Sequence, residues 1–440
     1  MATGELSRER LAQLVQGRLR QLQDSEWLDP AALAEQRRLA LAALLAHTIR
    51  FSPLIARRAA EAGIGPAQLR DDDVLVRLPL LDRRTLQLGG ELFCTAIPEP
   101  HQPLTSASSS GSTGEPVTVH HTLVSRVDYA ALTLREHLWH GSDFTRVLAA
   151  VRTTFTAVQR GADWGSPVNL VAQSGPSLVI PNSFPPDEIA RLLAEARPGQ
   201  LLINPSTLAE LCDHLERSGE RITGMQRVRT IAEVVPPALP ARVMALFGAP
   251  LHDVYSSREI GHIAVQCPAS GLYHTVETVV VEVLDEAGKP CGEGDEGEVV
   301  ITDLRNFATP LVRYRIGDRA VVGPPCPCGR GLPTLARVLG RERNMVTYPD
   351  GRRGWPQLEN GAFWTLGPVE QFQFVQHTPD RIEVRLAVSR PARAEEETAM
   401  SAAIRAMLQH PFALDLVYFD GALPRAASGK FEQFVGLPRA

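Results

Sequence analysis

No stretch of this 440-residue chain approaches the ~20 consecutive apolar residues that a membrane-spanning helix needs. The N-terminal run MATGELSRERLAQLVQGRLRQL has an amphipathic helical pattern and no signal-peptide core, so a cytoplasmic protein with no membrane partner is expected. A basic excess is missing as well. Lys and Arg number 45 against 50 Asp and Glu, giving a formal charge of −5, which argues against a nucleic-acid partner. Six cysteines in a chain this long do not make a disulfide framework. Internal repeats are lacking. A Walker phosphate loop is lacking too: the one Ser/Gly-rich run, SSSGSTGEP at 108–116, has Glu115 after its last glycine and leads into a strand pattern rather than a helix.

What is present supports more than one domain. The length exceeds that at which single cores stop growing, and 44% hydrophobic residues supply a sizeable core. Helical spacing runs from Glu5 to about Ala60, broken at Asp29-Pro30 and Ser52-Pro53. Turns and a short helix are expected over Asp71–Leu92, with Leu78-Pro79-Leu80-Leu81 as packing. Val117–His121 alternates like a strand, and Ser125–Trp139 is helical, with Val127, Ala130, Leu134 and Leu138 on one face. Strands are expected at Arg146–Val151, Val168–Ala172 and Leu201–Asn204, with helices at Pro186–Glu195 and Pro205–Leu215. That alternation predicts an α/β large N-terminal domain with packed sheets and flanking helices, residues 1–340. The pattern turns strand-rich from Val276. The last hundred residues, 341–440, read as a small α+β C-terminal unit with strands at Glu370–Val375, Arg381–Val388 and Leu414–Phe419 and a helix at Glu395–Leu408.

Composition alone makes the Ser/Gly run a flexible linker or plain hairpin turn. Converging backbone N–H groups and hydroxyls in such a turn also make a phosphate nest. Four later segments bear on the choice: Val254-Tyr255-Ser256-Ser257-Arg258-Glu259-Ile260-Gly261, Tyr314-Arg315-Ile316-Gly317-Asp318, Gly340-Arg341, and Leu423-Pro424-Arg425-Ala426-Ala427-Ser428-Gly429-Lys430. In this order and spacing, the five motifs resemble those of the class I adenylate-forming enzymes, which include acyl-CoA synthetases. The nearest likeness is to the phenylacetate–CoA ligase branch, through Phe51-Ser52-Pro53, Gly63-Ile64 and Leu78-Pro79-Leu80 as well.

The resemblance implies a set of roles. Ser109, Ser110, Gly111, Ser112, Thr113 and Gly114 would close over the phosphates of ATP, with Thr113 counted as catalytic. Tyr255 would pack beside adenine with Ser256 next to it, and Ala232-Glu233 would lay backbone against the base. Glu259 would hold Mg²⁺, since carboxylate is the hard oxygen ligand that ion prefers. Asp318 would accept both ribose hydroxyls, and Arg341 would mark the junction to a mobile lid domain. Lys430 would enter from that lid to meet the charge that develops as carboxylate attacks the α-phosphate. Departures are Glu115, where relatives carry Lys or Arg, Ser-Ser-Arg before Glu259, and Arg343 in the place of the hinge acid or lysine.

The resemblance further implies ATP-dependent activation of a small carboxylic acid as acyl-adenylate, with pyrophosphate released. Transfer to an acceptor follows: CoA, an amine or a hydroxyl. The runner-up readings are a diazotase that activates nitrite on an arylamine and a nucleotide-binding relative without turnover. An aryl or amino-aryl acid in secondary (natural-product) metabolism is expected, held near Trp164, Gln173, Ser174 and Asp253, and the oligomeric state is monomer or homodimer. Cys326-Pro327-Cys328 forms a tight turn bearing two thiols, and Cys267 and His274 bracket another. Either the four complete a tetrahedral structural Zn²⁺ site or they are unliganded side chains.

Overall fold

Proline sets the first boundaries. The helix Arg8–Ser25 is followed by Pro30–Phe51 and Pro53–Glu61, each opening on a proline whose missing N–H costs nothing there. The side chains of Asp29 and Ser52 cap them by accepting from the amides of Ala32 and Ile55. In this computed structural model the described residues are 6–109, 117–356, 358, 366–424 and 431–437. Among them no single helix is long and apolar enough to cross a membrane; Pro30–Phe51 and Pro53–Glu61 reach that apolarity only together, across a 110° bend. The chain divides into two compact units, Met1–Leu339 and Gly340–Ala440.

In the first unit β1 (Thr105–Ser109) and β2 (Val117–His121) form an antiparallel hairpin, Thr105 opposite His121 and Ser109 opposite Val117. The Ser/Gly run is therefore the hairpin's connection, with a strand on both sides. The remaining strands are β3 (Leu148–Arg152), β4 (Gln159–Gly161), β5 (Ser177–Pro181), β6 (Gln200–Ile203), β7 (Arg227–Ile231), β8 (Leu251–Ser257), β9 (Gly261–Gln266), β10 (Tyr273–Thr275), β11 (Val279–Leu284), β12 (Glu296–Asp303), β13 (Tyr314–Val322) and β14 (Thr334–Arg341). They share one twelve-stranded sheet in the order β11-β12-β13-β14-β10-β9-β8-β7-β6-β3-β5-β4. The run β5-β3-β6-β7-β8 is parallel, joined by helices that include Pro186–Ala196, Pro205–Ser218 and Leu239–Phe247. Those helices bury Ile189, Leu193, Leu208, Leu211, Val243 and Phe247 against the sheet. Antiparallel pairing begins at β9 and continues through β10 to β14. A second core joins that half of the sheet to the N-terminal helices through Leu44, Leu45, Ile55 and Leu78.

Two local expectations change. Val168–Val171 is a single helical turn rather than a strand; Val168 packs with Trp164 in the small core between Val15 and Leu134. The helix Leu123–Trp139 turns Val127 and Leu134 inward, but Leu138 is 46% exposed. Its inner face holds Arg135 and Glu136 instead, both almost wholly buried and both ion-paired.

In the second unit, β15 (Val346–Thr347) and β16 (Arg353–Gly354) make a short hairpin. Strands β17 (Val369–Thr378), β18 (Arg381–Val388), β19 (Ala413–Phe419) and β20 (Phe434–Val435) form a sheet in the order β19-β18-β17-β20. The helix Ala394–Met407 lays Met400 and Ile404 into the same core as Phe374, Ile382, Val384 and Leu386. Burial of each contributes roughly 1.5–3 kcal/mol.

Candidate active site

The β1–β2 hairpin is fastened from two sides. The His120 amide donates to Thr309 Oγ1 at 2.9 Å, and Asn306 Nδ2 donates to the His120 carbonyl at 2.9 Å. On the other side the turn between β8 and β9 reaches across. Arg258 Nη1 donates to the Ser108 carbonyl at 3.3 Å, while His121 Nε2 stands 3.1 Å from the Arg258 carbonyl. The His120 and His121 contacts hold the open end of the hairpin, opposite Ser106 and Thr105, and the Arg258–Ser108 contact ties the turn that carries Glu259 to β1. Ser110, Gly111, Ser112, Thr113 and Gly114 themselves lie outside the described residues, and Ser109 closes β1.

Glu259 is buried, 3.5 Å from Arg83 Nη1. Arg83 is brought there by sheet pairing: Leu81 bridges to Tyr314 of β13, its amide donating to the Arg313 carbonyl at 2.7 Å while its own carbonyl accepts from the Arg315 amide at 2.8 Å. Asp82 then caps the helix Arg83–Leu88 by accepting from the Thr85 amide. Gly261, at the start of β9, has φ +92, and a Cβ there would sit 3.0 Å from the Tyr129 ring, so glycine is required on both counts.

Tyr255 on β8 and Asp318 on β13 are both buried, and the Tyr255 hydroxyl donates to Asp318 Oδ2 at 2.7 Å. The pairing of β8 with β9 slips at Tyr255/Ser256, a bulge that re-aims the side chains at the strand end. Ser256 is half-buried there. Beyond β7, Ala232 holds φ +75, an uncommon conformation for alanine that turns the backbone sharply at the carboxyl edge of the parallel strands. Glu233 anchors the turn: its Oε2 accepts from the Ser206 amide at 2.9 Å. In open α/β sheets the crevice beyond the carboxyl ends of the strands is where ligands bind.

The AMP-binding enzyme family matches residues 49–307, more than half of the chain. The chain belongs to that family. Within it, the protein is an adenylate-forming ligase on the phenylacetate–CoA ligase branch. It is 24% identical to the phenylacetate-coenzyme A ligase of Escherichia coli over 311 residues, 69% of each chain. Identity to the phenylacetate-coenzyme A ligase of Thermus thermophilus is 26% over 375 residues, 82% of each chain. The fold is similar to that of 2-hydroxyisobutyryl-CoA ligase in the postadenylation state in complex with 2-HIB-AMP, with TM-score 0.71, 18% identity, and 94% of this chain and 91% of that one covered.

In this AMP-binding enzyme two of the four residues expected around the acid, Trp164 and Ser174, touch each other. Asp253 is buried, with Oδ1 accepting from Thr230 Oγ1 at 2.7 Å and Oδ2 from the Tyr273 hydroxyl at 3.1 Å. Burial pushes its carboxyl up to about 6. The Trp164 indole donates to the Arg146 carbonyl at 2.8 Å, and Ser174 Oγ accepts from the Trp164 amide at 2.9 Å. Gln173 is exposed. Two arginines lie beside Glu259: Arg83, which the sequence did not single out, and Arg258, which reads from sequence as a solvent-facing side chain and instead bonds to the Ser108 carbonyl. The partners of Arg83 and Arg258 lie 176 and 150 residues away in the chain, a separation that no local pattern records.

In the second unit of the ligase, Arg343 is ion-paired to Glu432, and its carbonyl accepts from the Gly436 amide at 2.8 Å. Arg341 ends β14 directly after Gly340, which has φ +103. Pro349-Asp350-Gly351 is the turn of the β15–β16 hairpin, with Arg352 paired to Asp350 and Arg353 to Glu342. Lys430 lies outside the described residues. The remaining candidate group, Cys267, His274, Cys326 and Cys328 of the first unit, brings one donor atom each within 4.8 Å of one another.

Proposed function

We propose that this ligase activates a small aryl or amino-aryl carboxylic acid with ATP and passes the acyl group to coenzyme A. The observation that carries the reading is the convergence of Tyr255–Asp318 and of Glu259, held beside the Ser/Gly hairpin by Arg258 and His121. Asp318 presents an acceptor carboxylate suited to paired ribose hydroxyls. The turn at Ala232–Glu233, at the end of β7, offers its backbone to the base, and Tyr255 its ring. Glu259 is the oxygen donor for Mg²⁺, which supplies charge neutralisation on the phosphates. Ser110, Ser112 and Thr113 offer hydroxyl donors to the β- and γ-phosphates, and Lys430 the ammonium for the α-phosphate.

Two displacements follow from that arrangement. A carboxylate oxygen of the acid attacks the α-phosphorus, and the bond to the bridging oxygen breaks as pyrophosphate leaves. The CoA thiol then gives up its proton and attacks the acyl carbon, and AMP leaves with the electron pair of the acyl–oxygen bond. The choice of CoA is supported by the names of the relatives; the aryl acid is supported by the phenylacetate–CoA ligase likeness.

The test is pyrophosphate release from ATP and Mg²⁺ with a panel of phenylacetic, benzoic and aminobenzoic acids, followed by mass spectrometry with CoA, an amine or nitrite supplied. Acid-dependent pyrophosphate and an aryl-CoA thioester are expected. A diazotised product from nitrite, or an amide with no thioester, would move the acceptor; absence of acid-dependent turnover would remove the acid.

A further inference from the structure

The turn Cys326–Gly329 meets the turn between β9 and β10 and the start of β10. Cys326 Sγ is 3.7 Å from Cys267 Sγ, and Cys328 Sγ is 3.3 Å from His274 Nε2. A tetrahedral Zn²⁺ with metal–sulfur bonds near 2.3 Å and metal–nitrogen bonds near 2.0–2.1 Å would set those edges at about 3.8 and 3.6 Å. The imidazole is already oriented for that task. His274 Nδ1 faces the Leu332 carbonyl at 3.4 Å, which places the proton on Nδ1 and leaves Nε2 as a lone-pair donor toward the thiols. Three of the four residues are buried, and no acidic side chain belongs to the group.

The same turn also clasps the N-terminal arm. Two residues after Cys328, Arg330 donates through Nε to Glu26 Oε1 at 3.1 Å, and its guanidinium lies 4.9 Å from the Trp27 ring and 4.3 Å from that of Trp139. Gly331 donates its amide to the Glu26 carbonyl at 3.0 Å, and a Cβ there would overlap the Leu28 carbonyl. Glu26 Oε2 accepts from Trp139 Nε1 at 2.8 Å, while Trp139 meets the His274 ring edge-on at 5.6 Å. Arg135, stacked 4.8 Å from Trp139, is bidentate to Glu277, which also accepts from Ser25.

We propose that Cys267, His274, Cys326 and Cys328 bind a structural Zn²⁺, and that this ion fixes the Cys326–Gly331 turn as the clamp holding the N-terminal helical arm to the sheet. Binding displaces the protons of three thiols, so the filled site carries one net negative charge beside Arg330. Four protein ligands leave no open position, so the ion takes no part in acyl transfer. The inference stands independently of the acid and acceptor.

The full chain, purified without chelator, is expected to carry about one zinc per chain by elemental analysis. Cys328→Ser and His274→Ala should each lower the zinc content at least about tenfold, while Cys291→Ser keeps it. Should these variants be insoluble, zinc is stripped from the wild-type chain with a strong chelator, and release is followed together with tryptophan emission and proteolysis of residues 6–61. Loss of metal should shift the emission of Trp27 and Trp139 and speed cleavage in the arm. Metal-free protein as purified, or a Cys267–Cys326 disulfide in non-reducing peptide maps, overturns the site. Stripped protein with unchanged arm cleavage and emission overturns the clamp.

Discussion

The Tyr255 hydroxyl bonds to Asp318 at 2.7 Å although three strands, β9, β10 and β14, separate β8 from β13 in the sheet. At about 4.8 Å per strand a flat sheet would hold them about 19 Å apart, so the antiparallel half coils back over its own face. Asp318 is thereby oriented by the Tyr255 hydroxyl. Replacing Asp318 with Ala should raise KM for ATP about 10–100-fold, the loss of one or two charge-assisted hydrogen bonds. Tyr255→Phe removes only the orienting donor and should raise it about fivefold. Pyrophosphate release at varied ATP measures both, and an unchanged KM in Asp318→Ala would take Asp318 out of the ribose site.

Glu259 stands 3.5 Å from Arg83, a cation held in place by the Leu81 bridge to β13. A neutral amide of the same shape offers Mg²⁺ one weak carbonyl in place of a carboxylate. Glu259→Gln should therefore move the Mg²⁺ activation curve to higher concentration by about tenfold or more and lower kcat/KM about 10²–10³-fold. Part of the loss should return at high Mg²⁺. A Mg²⁺ titration that superimposes on the wild type would separate Glu259 from the metal.

Much of this architecture was legible in the residues, for reasons that differ by region. Asp29-Pro30 and Ser52-Pro53 read as helix boundaries because the cap and the proline act locally, and Arg381–Val388 read as a strand because its apolar residues alternate without interruption. Val168–Val171 misled because four or five apolar residues carry no period; the deciding contact is with Trp164 in a core built largely from the helices Arg8–Ser25 and Leu123–Trp139. Tyr255, Glu259 and Asp318 were named by motif order, and of these the structure joins Tyr255 and Asp318 by a hydrogen bond. Arg83 escaped, and Arg258 read as solvent-facing, because their contacts exist only after distant segments are joined. Asp253 looked like a binding residue by its place before Tyr255, but it points to the face where Thr230 and Tyr273 occupy both its oxygens.

That buried carboxyl makes a pH-dependent stability. Its folded value of about 6, raised by burial, lies above the ~3.9 of an unfolded aspartate. The folded state therefore binds more protons between those values, and stability falls as pH rises from about 4 to about 6, then levels off. Two pKa units correspond to about 3 kcal/mol. Asp253→Asn cannot ionise, so the difference in Tm between mutant and wild type should move in favour of the mutant across that window and stay constant above about pH 7. Parallel Tm curves from pH 4 to 8 would show that Asp253 does not titrate as its burial requires.

Lys430 is one of only two lysines in a chain with 45 basic residues, the other being Lys289 on the exposed turn after Asp285. Arginine is the default cation of this sequence, so the lysine at 430 is a rare choice and a direct one to test. Of the described residues on either side of it, the Leu423 amide donates to Gln371 Oε1 at 2.8 Å and the Gln433 carbonyl accepts from the Phe374 amide at 2.8 Å, both on β17. An ammonium about 4 Å from the developing phosphate charge is worth about 4 kcal/mol at an effective dielectric of 20, or about a thousandfold in rate. Lys430→Ala should lose roughly that factor in acyl-adenylate formation while ATP affinity, read by equilibrium binding, changes less than about threefold. Lys430→Arg tests the geometry rather than the charge: a planar fork cannot replace a compact point charge at an in-line phosphoryl centre, so recovery should stay below about a tenth. Wild-type adenylation in Lys430→Ala would place the decisive cation elsewhere, with Arg83 and Arg258 the nearest described candidates beside Glu259 and the Ser/Gly hairpin.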